Sequence, residues 1–156
     1  MRKFLLSLMC LVSAVCIARA ESGDIAVGVQ MGHGSYWNQI GLGAKVQVSF
    51  SDALRLEPAF NYYFRQDDMA TWDVDVNLHY LFDVADSFAV YPLGGLFVSN
   101  WDLKGAKGSE TRFGANLGAG AEYAITDVVS LGGELRYMLT GDFRQLVTSV
   151  GVTFRF

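Results

Sequence analysis

The chain has 156 residues, 51% of them hydrophobic and 18% charged, with 17 glycines, 2 prolines, 2 cysteines and a formal net charge of −4 at pH 7. Nucleic acid must be met by clustered positive charge, so this acidic chain is not expected to have a nucleic-acid partner. Its glycine and aromatic content suits strands and turns better than helices.

The first twenty residues read as a segment of their own. Arg2 and Lys3 precede an apolar run from Phe4 to Ala18, which ends in Ala18-Arg19-Ala20, the small-x-small pattern accepted by a signal peptidase. The run is about 15 residues, short of the roughly 20 a membrane-spanning helix needs, and no later segment does better. We expect residues 1–20 to be a signal peptide cleaved after Ala20, leaving 21–156 as one domain of roughly 136 residues with a net charge of about −7. Cys10 and Cys16 would leave with the signal, so the exported product would carry no disulfide and no thiol ligand. The alternative, acylation at Cys16, is weakened by Ser13-Ala14-Val15, a poor match to the Leu-small-small triplet of lipoproteins.

After the leader, eight segments hold period-two parity, the mark of strands with two unlike faces. They lie near 24–32, 38–50, 53–65, 70–82, 87–99, 111–124, 129–140 and 145–156. One face is apolar, from Ile25, Val27, Val29 and Met31 in the first segment to Leu146, Val150, Val152, Phe154 and Phe156 in the last. The other holds Gly, Asn, Gln, Ser and the charges. Ser51-Asp52, Asp83 to Asp86 and Ile125-Thr126-Asp127 read as short turns. Gly32 to Trp37, Arg65 to Met69, Asn100 to Glu110 and Thr140 to Arg144 read as the loops of the other end. Short turns at one rim and longer loops at the other are the habit of transmembrane barrels.

Alternation alone does not decide whether the apolar face meets lipid or an enclosed core, as in a lipocalin-like soluble barrel. Three features favour lipid. The polar face is rich in glycine (Gly28, Gly41, Gly43, Gly114, Gly118, Gly120, Gly132, Gly151), which suits a cramped lumen better than a wetted surface. Aromatics gather toward strand ends: Phe50, Phe82, Phe88, Tyr123 and Phe154 near the short turns, Phe64, Trp72, Phe113 and Tyr137 near the loops. The interior of eight strands would not hold so many large apolar side chains. The expected fold is therefore all-β: an eight-stranded antiparallel up-and-down transmembrane β-barrel behind a cleavable signal peptide.

The inward set contains Lys45, Arg55, Arg136 and Arg155 against Glu57, Asp73, Asp75, Glu122 and Glu134, with Gln47, Asn61, Asn77, His79 and Asn116 between them. Charges in a narrow lumen are costly unless paired. If Ser51-Asp52 sets the register, Lys45 lies beside Glu57, and a tight third loop brings His79 to its other flank, while Glu134 and Arg136 make a second cluster. Together with Arg55 and Glu122 they form a candidate network that plugs the barrel. Catalysis is the sharper alternative, on His33-Gly34-Ser35 in the first loop or the paired carboxylates Asp73 and Asp75, but neither spacing fixes base and nucleophile rigidly. No cofactor is expected, and two histidines with no mature cysteine give no metal-ligand spacing. Tyr36, Trp37 and Trp101 in the loops form either a contact surface or the upper aromatic girdle.

The leader, the eight-strand meander, the strand Ser130-Leu131-Gly132-Gly133-Glu134-Leu135-Arg136-Tyr137 and the ending Val150-Gly151-Val152-Thr153-Phe154-Arg155-Phe156 carry a resemblance. Over the whole mature chain they resemble the small outer-membrane β-barrel proteins of the OmpA transmembrane domain and OmpX type. The resemblance implies a place in the bacterial outer membrane among its lipids and lipopolysaccharide, reached with the help of periplasmic chaperones and the barrel-assembly machinery. That machinery would read Phe156, with Phe154 and the alternate apolar residues before it, by adding a strand to its own edge. An ordinary last strand shows the same alternation with no special need for Phe156. The function expected is non-enzymatic, in envelope integrity or surface interaction with an unidentified ligand. A narrow pore for ions or small solutes is the next reading, and a lipid A-modifying enzyme the one after.

Overall fold

The computed structural model describes residues 24–36, 38–66, 69–103, 109–141 and 144–156. The expected signal peptide with both cysteines, Trp37 and the tip of the 100–110 loop lie outside the described residues. Strand elements follow in chain order as β1 (Ile25–Gly34), β2 (Gln39–Ser49), β3 (Leu54–Gln66), β4 (Met69–Tyr80), β5 (Phe82–Ala85), β6 (Phe88–Leu103), β7 (Ser109–Ala124), β8 (Val129–Leu139) and β9 (Arg144–Arg155). All pairings are antiparallel, and β1 pairs with both β2 and β9. The last contact runs from Ala26 opposite Arg155 to Gly34 opposite Val147, so the sheet closes on itself.

Nine elements make eight barrel strands. β4 and β5 share β6 as partner in one register, with His79 opposite Leu93 and Phe82 opposite Val90. Between them Leu81 breaks the ladder, its N–H turning to the Ala53 carbonyl at 2.7 Å, and the register shifts again between Asp83 and Ala85. Two of the short turns are held by hydroxyls that accept backbone N–H groups: Ser51 Oγ from Leu54 at 3.1 Å, and Thr126 Oγ1 from Val129 at 3.0 Å.

The strands run beyond the limits that alternation suggested. Residues expected in loops stay paired, with Gly34 opposite Gln39 and Asp102 opposite Ser109. The stretch 83–86, expected as a turn, is mostly strand, with Ala85 opposite Phe88. Above and below the hydrocarbon the face-to-face contrast in polarity fades, while backbone pairing continues without it.

Parity divides the side chains into two environments. Val29, Leu96 and Phe113 on the outer face are 60%, 71% and 73% exposed, whereas Asn77, His79 and Asn116 on the inner face are 0% exposed. Exposed apolar residues in such number on a closed wall, with the charges enclosed, are arranged for hydrocarbon outside, so the soluble-barrel reading falls. No helix among the described residues is long and apolar enough to cross a membrane. Rings meet on the outer face near both rims, Tyr80 against Phe82 at 4.9 Å near the short turns and Tyr62 against Phe64 at 5.9 Å near the loops.

Val29→Arg, in the middle of β1 on the lipid face, is predicted to cost about 2–4 kcal/mol in equilibrium urea unfolding from bilayers, and Val29→Leu to cost less than about 0.5 kcal/mol. Equal tolerance of the two would reverse the assignment of faces.

Candidate functional site

The lumen fills in layers from the short-turn rim. In the lowest layer β3 sets Arg55 directly opposite His79 of β4, and the Arg55 Nη1 donates to Glu122 Oε2 of β7 at 2.8 Å. The Arg55 guanidinium lies 5.0 Å over the Tyr91 ring, a cation–π contact. Tyr91 in turn stacks on the His79 imidazole, with centroids 4.5 Å apart and planes 11° from parallel.

The next layer is ionic. Lys45 sits opposite Ala59, with Glu57 two residues along the same face of β3 and Ser49 paired with Arg55. The long lysine stem makes up the difference: its Nζ reaches Glu57 Oε2 at 3.0 Å and crosses the lumen to Glu134 Oε1 at 3.4 Å. Gln47 Nε2 donates to the same Glu57 oxygen at 2.7 Å, and the Tyr91 hydroxyl donates to Glu134 Oε1 at 2.9 Å.

Glu134 and Arg136 both point inward from β8 but do not form a cluster with each other. Glu134 belongs to the lysine layer. Arg136 donates through Nη1 to Asp75 Oδ2 at 2.6 Å, one layer toward the loops. Asn77 and Asn61 donate to the two oxygens of Asp75 at 2.6 and 3.0 Å, and Asn61 also donates to Asp73 at 2.7 Å. Gln30 and Asn116 extend this layer by donating to Asn61 Oδ1 at 2.7 Å and Asn77 Oδ1 at 3.0 Å. Amides thus bind the ion pair into a cross-barrel web, as buried charges require.

Above it lies an apolar layer that sequence reading missed. Tyr63, Phe97, Met138 and Val147 form a buried cluster. Trp101, expected on a loop as a contact surface or girdle residue, instead points inward from β6 at 7% exposure, with Arg112 stacked 4.7 Å over its ring and its Nε1 donating to Ser99 Oγ at 3.1 Å. The register of β6 with β7 makes room for rings in this layer and the lowest one: Phe97 faces Gly114, and Tyr91 faces Gly120. A Cβ at Gly120 would stand 2.5 Å from the Tyr91 ring, and one at Gly114 would stand 2.6 Å from Phe97. Each glycine clears room for a ring.

The remaining candidates lie apart. Arg155 is exposed at the short-turn rim opposite Ala26, outside the lumenal web. His33 is in β1 rather than a loop and is exposed, with its Nε2 at 2.8 Å from Asn38 Oδ1. Ser35 Oγ accepts the Leu146 N–H at 3.1 Å, so the two members of the proposed catalytic pair are engaged elsewhere. Phe154 and Phe156 are 43% and 75% exposed on β9 and just beyond it.

The sequence profile of the family described as "Outer membrane protein beta-barrel domain" matches residues 5–156. No curated protein sequence matches the chain. Among solved structures, the N-terminal β-barrel domain of Pseudomonas aeruginosa OprF is similar, with a TM-score of 0.72 at 20% identity over 86% of this chain and 100% of that one. Neisserial surface protein A gives 0.68 at 18% over 86% and 97%. Ail, the attachment invasion locus protein of Yersinia pestis, gives 0.61 at 16% over 86% and 97%. At such identities the likeness is one of fold.

Removing one partner of a buried ion pair strands the other. Arg136→Met is predicted to destabilise the barrel by about 3–5 kcal/mol, and the double change Arg136→Met with Asp75→Leu to recover most of that loss. Urea unfolding in bilayers measures both, and a double variant no better than the single would show that the amide web, rather than the pair, governs this layer.

Proposed function

We propose that this chain, which belongs to the outer membrane protein beta-barrel domain family, is a plugged, non-enzymatic wall protein of the bacterial outer membrane that supports envelope integrity and presents its loops outward. The observation that carries the reading is the continuity of the lumenal packing. From Glu122 near one rim, through Lys45 and Arg136, to Trp101 near the other, each layer bonds or packs across the barrel, and Asn77, His79, Asn116 and Val147 are 0% exposed. Bulk solvent does not reach those four side chains. The engagement of His33 and Ser35 with separate partners speaks against acyl transfer at that pair.

In planar bilayers the protein is predicted to give no stable open channel of nanosiemens size, and its overproduction to leave the mass of lipid A unchanged. A stable channel would favour the narrow-pore reading, which draws its support from the polar, doubly charged lumen. A shifted lipid A mass would favour an enzyme.

Biogenesis follows the same reading. Residues 1–20 direct export and are removed after Ala20, chaperones carry the rest across the periplasm, and the assembly machinery recognises the end of β9. Lipids and lipopolysaccharide then surround the wall. Phe156 is 75% exposed and is tied in by its N–H to the Ile25 carbonyl at 2.9 Å. Its ring therefore contributes little to the finished barrel. Phe156→Ala is predicted to leave the stability of the refolded protein within about 0.5 kcal/mol while slowing its assembly in cells, read as the fraction resisting heat-dependent unfolding on gels. Unchanged assembly would remove the special role of this residue.

A further inference from the structure

Three strands bring Glu57, His79 and Glu134 together so that one ligand atom from each lies within 4.8 Å of the other two. All three residues are buried, at 1%, 0% and 7% exposure. Two of their atoms, His79 Nε2 and Glu134 Oε2, make no hydrogen bond among the described residues. An unmet polar atom in such a place costs about 1–3 kcal/mol. His79 Nε2 faces Glu57 Oε1 at 4.0 Å, beyond hydrogen-bond reach. The carboxylates are meanwhile fixed from behind: Lys45 and Gln47 hold Glu57 Oε2, and Lys45 and Tyr91 hold Glu134 Oε1. Outer contacts of this kind orient ligating carboxylates in metal sites.

Charge points the same way. In the two layers that hold the site, the carboxylates of Glu57, Glu122 and Glu134 face only the two cations Lys45 and Arg55, a negative excess that a bound cation offsets.

We propose that Glu57, His79 and Glu134 bind a divalent cation of the zinc class inside the lumen. Two carboxylates and one imidazole supply three protein ligands, and water takes the fourth position of a tetrahedral site. Ligand bonds of about 2.0–2.2 Å require the three side chains to close inward from their present separation. His79 ligates as a neutral ring through Nε2, so its proton resides on Nδ1. Arg55, whose guanidinium nitrogens stand 3.3 and 3.4 Å from Nδ1, then turns wholly to Glu122. The imidazole proton moves from one ring nitrogen to the other, and the charge of the ring does not change. The ligands come from β3, β4 and β8, which explains why residue spacing along the chain shows no metal motif.

The test uses untagged barrel refolded in detergent, incubated with zinc sulfate, desalted and assayed for metal by mass spectrometry. Wild type and His33→Gln are expected to retain about one zinc per chain, and His79→Gln to retain at least roughly tenfold less while still showing heat-modifiable migration. His33→Gln leaves His79 as the only histidine. In that variant Co(II) is expected to give the intense visible absorption of a tetrahedral site with histidine resonances shifted by the paramagnetic ion, a readout that does not need His79→Gln to fold. Retention of less than about a tenth of a zinc per chain by wild type, equal retention by folded His79→Gln, or a Co(II) spectrum of the free aquo ion would each overturn the proposal. The two unmet atoms would then share a buried water, with protons on carboxylates balancing the charge.

Discussion

A backbone N–H or C=O left without a partner in hydrocarbon costs several kcal/mol, and a β-sheet in a bilayer can avoid that cost only by having no edge. The pairing of β1 with β9 meets this constraint, and the rest of the molecule follows from it. Closure with eight strands fixes a narrow interior. It also converts the two faces of every strand into an outside and an inside with no exchange between them. Leu81, where the ladder breaks, lies near the short-turn rim, between the two segments of one strand. There water can meet what the sheet does not.

The narrow interior then governs what can fill it. Two of the rings in the lumen are admitted by a glycine standing opposite, Gly120 for Tyr91 and Gly114 for Phe97. Charges enter only where neighbours on other strands reach them, as Lys45 spans to two glutamates and Arg136 to Asp75. Such pairs are weak evidence of net stability, since desolvation offsets much of their attraction. Their consequence is specificity: each couples strands distant in sequence, so a register slip that moved β8 by one residue would aim Arg136 and Glu134 at lipid.

Much of this was legible in the sequence because one physical signal, period-two polarity, reports both strand and environment. The wall face from Ile25 to Phe156 could be assigned residue by residue, as could the inward direction of Lys45, Arg55, Glu57, His79, Glu134 and Arg136. Partner choice was not legible. Lys45 meets Glu57 on a diagonal, because the register places Ala59 opposite the lysine and the contact runs through a flexible stem. Glu134 and Arg136, adjacent on one face of one strand, part company because each bonds across the lumen to strands whose positions only closure sets. Trp101 and the apolar layer escaped notice because β6 is apolar on both faces near Phe97, which erases the alternation, and because strand pairing outlasts the hydrocarbon.

The central claim is that hydrocarbon bathes one side of every strand and the packed lumen the other. Residues 21–156 contain no cysteine, so single cysteines can be introduced at 146–150 of β9 and spin-labelled in bilayers. Collision rates with dissolved oxygen, which concentrates in lipid, are predicted to alternate along this run, high at 146, 148 and 150 and low at 147 and 149. Rates that vary smoothly, or that give way at every position to a water-soluble relaxant, would contradict the account.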